Sequence, residues 1–96
     1  MPAFVFANIK SVSNPARFTE YQGQAGPTVV QYGGKILAGG SKIEIADGDW
    51  LPAGVVALEF ESLAKAKEWY NSLEYQAVIG GRLESTVGGV VFVDAS

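Results

Sequence analysis

The stretch from Gly54 to Gln76 constrains the fold most strongly, because a strand pattern passes directly into a helix pattern there. Residues 55–60 form an apolar run rich in strand-forming residues, which predicts a buried strand. Ser62 supplies a side-chain oxygen that can cap the start of a helix. The apolar residues that follow recur at helical spacing; they are Leu63, Ala66, Tyr70 and Leu73. We therefore expect a buried strand, an amphipathic helix packed on it and, after a second cap at Ser72, one more helical turn.

The first third of the chain has the same strand–helix order. Residues 3–10 are largely apolar on both alternating faces, so the predicted strand is covered on both sides. Asn14 followed by Pro15 predicts a helix start, and Gly33 predicts its end after Tyr32. This first unit is therefore a covered strand followed by a long helix.

Proline and glycine residues predict where the other helices and strands bend or end. Pro27 has no backbone N–H to donate to the carbonyl of Gly23, so we expect a kink or a short break in the first helix. Residues 35–45 and 87–94 are predicted as two further strands. The glycine pair 80–81 is expected to close the helical region between the last two strands.

The resulting order is strand, helix, strand, strand, helix, strand, which predicts an α+β fold of the ferredoxin-like βαββαβ type. Right-handed crossovers place the first and third strands at the centre of a four-stranded antiparallel sheet. Both helices then cover one face. We expect residues 1–96 to form a single domain whose other, apolar face is covered by a second copy of the chain, with Trp50 and Leu51 reaching across to the partner.

Composition excludes several classes of function. The 96 residues contain no Cys and no His, which removes disulfides and the usual zinc, haem and iron ligands, so we expect no metal and no cofactor. A net charge of -3 argues against a nucleic-acid partner. No apolar run approaches the roughly 20 residues of a membrane helix, and no positive region precedes the first apolar residues. We expect a cytoplasmic protein without a membrane partner.

A set of short motifs, each weak alone, resembles a known family in its order and spacing. The resemblance covers most of the chain and rests on Tyr32-Gly33-Gly34-Lys35, Gly48-Asp49-Trp50 with Pro52, Glu59-Phe60, Trp69-Tyr70, Ser72 with Glu74-Tyr75-Gln76, and Arg82. The chain is similar to the family of domains of unknown function numbered thirteen-thirty. That resemblance implies a dimeric α/β barrel, in which two ferredoxin-like sheets face each other, and it implies no established activity.

The wider superfamily implied by this resemblance includes cofactor-independent oxygenases, muconolactone-type isomerases and haem enzymes. The chain departs from the family pattern at Gly39 and Gly54, where members carry Arg, so a function of those arginines in anion binding does not carry over. Leu73 also stands where the family has Pro, a change that concerns only the start of a helical turn.

Two polar residues lie within predicted central strands. Glu59 is the candidate catalytic residue, since a carboxylate buried there has a raised pKa and can act as a general acid or base. The alternative is a structural role for Glu59, as a partner of Arg82, a tyrosine or a backbone amide. Asn8 is a candidate ligand-binding residue that can orient a carbonyl, or else satisfy a helix end. The topology places Asn8 and Glu59 near opposite ends of the central strand pair.

Aromatic residues and one arginine complete the candidate ligand-binding set. Trp69, Tyr70 and Tyr75 cluster at helical spacing, a pattern more typical of a core or a dimer interface than of a ligand site. Tyr32 is a candidate for a pocket rim. Arg82 either clamps a substrate carboxylate or pairs with Glu74 or Glu84.

Two hypotheses of function follow from these residues. The first is a non-catalytic homodimer that is structural or binds a small apolar molecule. The second is a cofactor-independent oxygenase or isomerase acting on a small aromatic or lactone-like substrate, with Glu59 as general base. Under either, we expect a pocket between sheet and helices in which Asn8 and Glu59 supply polar groups and Trp69, Tyr70 and Tyr32 supply aromatic wall or rim.

Overall fold

The computed structural model describes residues 2–95 and contains one antiparallel sheet with helices on a single face. The elements are β1 (Ala3–Val12), α1 (Pro15–Gln31), β2 (Lys35–Gly40), β3 (Gly54–Phe60), α2 (Leu63–Tyr70), α3 (Leu73–Gln76), α4 (Gly80–Ser85) and β4 (Thr86–Asp94). The strand order is β2-β3-β1-β4, with β1 and β3 at the centre. The predicted ferredoxin-like fold is confirmed.

Side-chain caps start three of the helices where the sequence predicts them. The Asn14 side chain accepts a hydrogen bond from the backbone N–H of Arg17 at the start of α1. Ser62 does the same for α2, and Ser72 for α3. Each cap satisfies a backbone donor that has no partner inside its helix, and so fixes the residue at which that helix begins.

Strand register decides which side chains face the helices. Val5 lies opposite Leu58 in the β1–β3 pair, and both side chains are buried under the helices. Residues directly opposite each other share a face, and neighbours along a strand point to opposite faces. Phe4 and Phe6 therefore lie on the outer face of the sheet, which no helix of the described chain covers.

The core is rich in aromatic rings supplied by β3, α2 and α3. Trp69 lies with its ring centroid 5.5 Å from that of Phe60 and 4.4 Å from that of Tyr75. All three side chains are at most 3% exposed. Because aromatic side chains bury a large area each, this group anchors the short helices to the sheet.

The second strand is shorter than the sequence predicts. β2 ends at Gly40, not at residue 45, and residues 41–53 form an irregular connection to β3. The alternation around Glu44 has no strand to pair with, because β3 begins only at Gly54 and β2 is an edge strand. In this case an alternating pattern without a pairing partner does not make a strand.

One prediction about the helices is wrong, and a second, the kink or break at Pro27, is wrong only as regards the break. The glycine pair 80–81 does not close the helical region; it starts α4, whose Ser85 hydroxyl donates back to the carbonyl of Gly81. Also, α1 runs unbroken through Pro27. Packing of Ala25 and Val29 against the sheet holds the helix together across the missing hydrogen bond, so a break does not occur, while a bend stays a prediction.

Candidate functional site

A cavity of about 330 Å³ lies between the helix-facing side of the sheet and α1. Strand residues form its floor and α1 forms its roof. Most of its wall is aliphatic, including Val5, Ile9, Ala25, Val29, Val56 and Leu58. The indole of Trp69 closes one side. A volume of this size, with an apolar wall, is within the range of small-molecule sites.

Three polar side chains from separate elements meet at one part of the cavity wall. Tyr21 of α1, Tyr75 of α3 and Arg82 of α4 all line it. The hydroxyls of Tyr21 and Tyr75 are 2.7 Å apart, and the Arg82 Nε–H donates to the Tyr75 oxygen at 3.4 Å. We call Tyr21, Tyr75 and Arg82 the polar cluster. Its position gives an otherwise apolar cavity one polar end.

The hydrogen bonds within the polar cluster leave one hydroxyl proton free. Each phenol carries a single O–H, and the short contact between Tyr21 and Tyr75 uses only one of them. If Tyr21 donates, the proton of Tyr75 remains; if Tyr75 donates, that of Tyr21 remains. Either arrangement offers one O–H donor to an occupant of the cavity.

Burial sets the charge of the polar cluster. Burial, followed by the neighbouring Tyr75, raises the pKa of Tyr21 well above its ordinary value, so this phenol stays protonated at neutral pH. Burial acts to lower the pKa of Arg82, but the hydrogen bond to Tyr75 and the electrostatic effect of the tyrosines outweigh it, and the pKa is raised. The polar cluster therefore has the protonated phenol of Tyr21 beside a fixed positive charge on Arg82.

Hydrogen bonds hold the Trp69 wall in place. The indole N–H donates to the Thr28 hydroxyl oxygen at 3.0 Å, and that hydroxyl donates to the carbonyl of Ala25 at 2.6 Å. Both Trp69 and Thr28 are buried. This chain of bonds ties α2 to α1 and fixes the orientation of the ring that faces the cavity.

A family profile described as "Domain of unknown function (DUF1330)" matches residues 2–96. The chain belongs to the DUF1330 family. This match confirms the resemblance to the family that was predicted from the sequence. No curated protein matches the chain.

Solved structures share the fold of this DUF1330 chain at low sequence identity. A protein of unknown function from Rhodopseudomonas palustris superposes with a TM-score of 0.77 at 17% identity, over 99% of this chain and 82% of that one. A dimeric ferredoxin-like protein of unknown function from Jannaschia sp. CCS1 gives 0.75 at 12%, over 100% and 99%. SnoaB, a cofactor-independent oxygenase from Streptomyces nogalater, gives 0.64 at 9%, over 99% and 92%. These likenesses show the fold.

The DUF1330 chain does not place Glu59 or Asn8 in the cavity, so the predicted pocket composition is wrong. Glu59 lies opposite Phe4, and Asn8 lies opposite Val55, which puts both on the outer face. The prediction assigned them inward because a strand residue's face depends on register, which the sequence alone did not fix. Lys35 stands directly across from Glu59 in β2, the arrangement of a cross-strand charge pair.

The aromatic candidates divide between cavity, core and surface. Trp69 lines the cavity, as predicted. Tyr70 packs against Phe92 and Tyr75, with ring centroids 5.7 Å and 5.4 Å away, and does not line the cavity. Tyr32 instead donates its hydroxyl proton to Glu74 at 2.8 Å, a bond that raises the pKa of Tyr32.

Arg82 is the predicted arginine, and it does line the cavity. Its predicted alternatives, a pairing with Glu74 or Glu84, are wrong. Glu74 accepts from Gln31 and Tyr32, while Glu84 forms an ion pair with Arg17 at 3.3 Å. With both carboxylates engaged elsewhere, the guanidinium is left facing the cavity.

Tyr21 is the cavity residue that the sequence reasoning missed as a site residue. In the sequence it falls at helical spacing with Phe18, Ala25 and Val29, on one face of the first helix. A tyrosine on an otherwise apolar helix face is a usable signal, since a buried phenol needs a partner for its O–H. Of the two glycines that stand where the family pattern has Arg, Gly39 lines the cavity and Gly54 does not.

Residues 2–95 also bear on metal ligation and membrane insertion. Acidic residues do not gather there in any group of three that could hold a metal ion. In the same part of the chain, no helix is both long enough and apolar enough to cross a membrane.

Proposed function

We propose that this DUF1330 protein binds a small, mainly apolar molecule in the cavity beneath α1. The observation that carries the proposal is a mainly aliphatic and aromatic cavity in which three hydrogen-bonded polar side chains, the polar cluster, meet at one part of the wall. Ligand sites of this kind take most of their affinity from apolar burial, and a few placed polar groups fix orientation. The cavity volume suits a molecule of one or two rings.

A second candidate is a cofactor-independent oxygenase or isomerase that uses the same cavity. The likeness in fold to SnoaB and the aromatic wall of Trp69 and Tyr75 favour it. Glu59 is not its base, because that carboxylate lies on the other face of the sheet. Binding is the better supported function, since the described cavity lining contains no carboxylate and Tyr21 stays protonated.

Filling the cavity from the roof tests the binding proposal. Gly26 lines the cavity, and a Cβ added there meets nothing within 4 Å, so Gly26→Leu places a side chain in the cavity without a backbone clash. We expect the variant to lose binding of the neutral fluorescent probe N-phenyl-1-naphthylamine, measured by fluorescence titration. Native mass spectrometry should also show loss of any small molecule that co-purifies with the unmodified protein.

Gly23→Leu is the matched control. Gly23 lies one turn earlier in α1, a Cβ there also meets nothing within 4 Å, and it does not line the cavity. Both changes remove a helical glycine, which favours the helix by roughly 0.5–1 kcal/mol on an alanine scale. Probe binding should survive in Gly23→Leu. Equal binding to both variants, or none to the unmodified protein, would overturn the proposal.

We also propose that the protein is a homodimer joined through the outer face of the sheet. The face carries apolar side chains of β1, β3 and β4 that no described helix covers; they are Phe4, Phe6, Val55, Ala57, Val91 and Val93. Val91 is 58% exposed in the single chain. A second identical sheet is the simplest cover for such a surface, and the Jannaschia protein of the same fold is dimeric.

A further inference from the structure

We infer that the occupant of the cavity is an anion: a flat apolar body carrying one carboxylate, which lies against Arg82. This inference rests on the proposed binding function and names the chemical class of the ligand.

The first step is that Arg82 is a buried charge with no counter-ion among residues 2–95. Arg82 is only 4% exposed to solvent. The ion pairs among the described residues are Arg17 with Glu84 and Lys65 with Glu68, and neither involves Arg82. A buried charge is costly unless it is paired and hydrogen-bonded. The protein retains this one at the wall of a cavity, where a ligand can provide the missing charge.

The second step is that the polar cluster offers only donors to the cavity. A guanidinium has five N–H donors and no acceptor. The Arg82 Nε–H donates to the Tyr75 oxygen, and the guanidinium also has a hydrogen bond to the Tyr21 side chain. The phenols add the free O–H of Tyr21 or Tyr75. A carboxylate, which accepts at both oxygens and forms bidentate bonds with arginine, complements this set.

The third step is that the rest of the cavity wall is mainly apolar, with Gln22 as a further polar residue. Aliphatic residues of the sheet and α1 surround the polar cluster, and the ring of Trp69 lies 4.4 Å, centroid to centroid, from that of Tyr75. Low-dielectric walls strengthen the attraction between Arg82 and an anion, and aromatic walls favour a planar body. A small inorganic anion would leave this apolar wall without contacts, so the structure favours an aromatic carboxylate.

The experiment compares two isosteric probes, 2-naphthoate and 2-naphthamide, by isothermal titration calorimetry at neutral pH. They share shape and apolar area and differ in charge. We expect the unmodified protein to bind 2-naphthoate about 10- to 100-fold more tightly, because hydrogen bonds to a charged group are worth about that factor. Arg82→Met should remove the preference for 2-naphthoate over 2-naphthamide.

Arg17→Met is the matched control, since Arg17 is the other arginine of the chain, does not line the cavity and pairs at the surface with Glu84. It should leave the preference for 2-naphthoate intact. The nitrogen-15 spectrum of the arginine Nε–H groups gives a second readout on the unmodified protein. The Arg82 signal should shift with 2-naphthoate, so the test does not depend on the Arg82 variant folding.

Each outcome has a separate meaning. Equal affinity for both probes, or a preference that survives Arg82→Met, overturns the anion inference and leaves the binding proposal standing. Binding of neither probe, together with no binding of N-phenyl-1-naphthylamine, overturns both. A preference lost equally in Arg17→Met overturns the assignment to Arg82, since a general effect of net charge then explains it.

Discussion

Thr28 holds the Trp69 wall with a single hydroxyl that both accepts and donates. Thr28→Val keeps the shape of the side chain but leaves the buried indole N–H without an acceptor. We expect the free energy of unfolding to fall by about 1–3 kcal/mol, the usual cost of an unsatisfied buried donor. Chemical denaturation measures the change. Thr19→Val, at an exposed position of the same helix, is the control and should change stability far less.

Prediction at the residue scale succeeded where residue type alone carries the information. Arg82, one of the two arginines, and Trp69 were predicted as ligand-binding candidates, and both line the cavity, while ligand binding by either stays a prediction. It failed for Glu59 and Asn8, because a shift of one residue in register moves a strand side chain to the opposite face. A catalytic role for Glu59 stays a prediction. Its position on the face of the sheet opposite the cavity does not support that role.

At the scale of elements, Pro27 in α1 shows how packing can hold a helix together across a missing backbone hydrogen bond. Its effect on stability can be measured by substitution. Pro27 is exposed and its missing N–H leaves the carbonyl of Gly23 without a helical partner. Pro27→Ala restores that bond. We expect the thermal midpoint to stay the same or rise. A large fall would show that the proline geometry itself is built into the packing of α1 on the sheet.

The order of the elements was predictable, and their ends were less so. Caps at Asn14, Ser62 and Ser72 identified where helices begin, because a cap is a local interaction. The end of β2 and the existence of α4 depend on contacts far along the chain. For example, the Ser13 N–H donates to the carbonyl of Ser85 at the end of α4, across 72 residues. Local sequence does not encode such a partner.

At the scale of the whole molecule, the outer face predicts self-association. We expect a homodimer at micromolar concentration, with an interface on the order of 2,000 Å² in total. Val91→Lys places a charge on that face, on the edge strand β4 opposite Phe6, and should yield a monomer in analytical sedimentation. The substitution Val30→Lys changes an exposed valine of α1 and should leave the dimer intact. A monomeric unmodified protein would contradict the proposal.

The exposed connection of residues 41–53 also bears on whether the protein forms a homodimer. Trp50 and Leu51 are 64% and 62% exposed in the single chain, which is unusual for large apolar side chains. Their predicted contact with the partner stays a prediction. If the dimer forms, these two side chains are the first candidates for residues that gain burial in it.

The placement of the cavity on one face and of the apolar patch on the other has a consequence for stoichiometry. When two outer faces meet, both sheets, stacked about 10 Å apart, stand between the two cavities. Neither protomer contributes a side chain to the other's polar cluster by this arrangement. Each dimer then takes two occupants, each with the same affinity whether or not the other is present, and saturation follows a simple hyperbola without cooperativity.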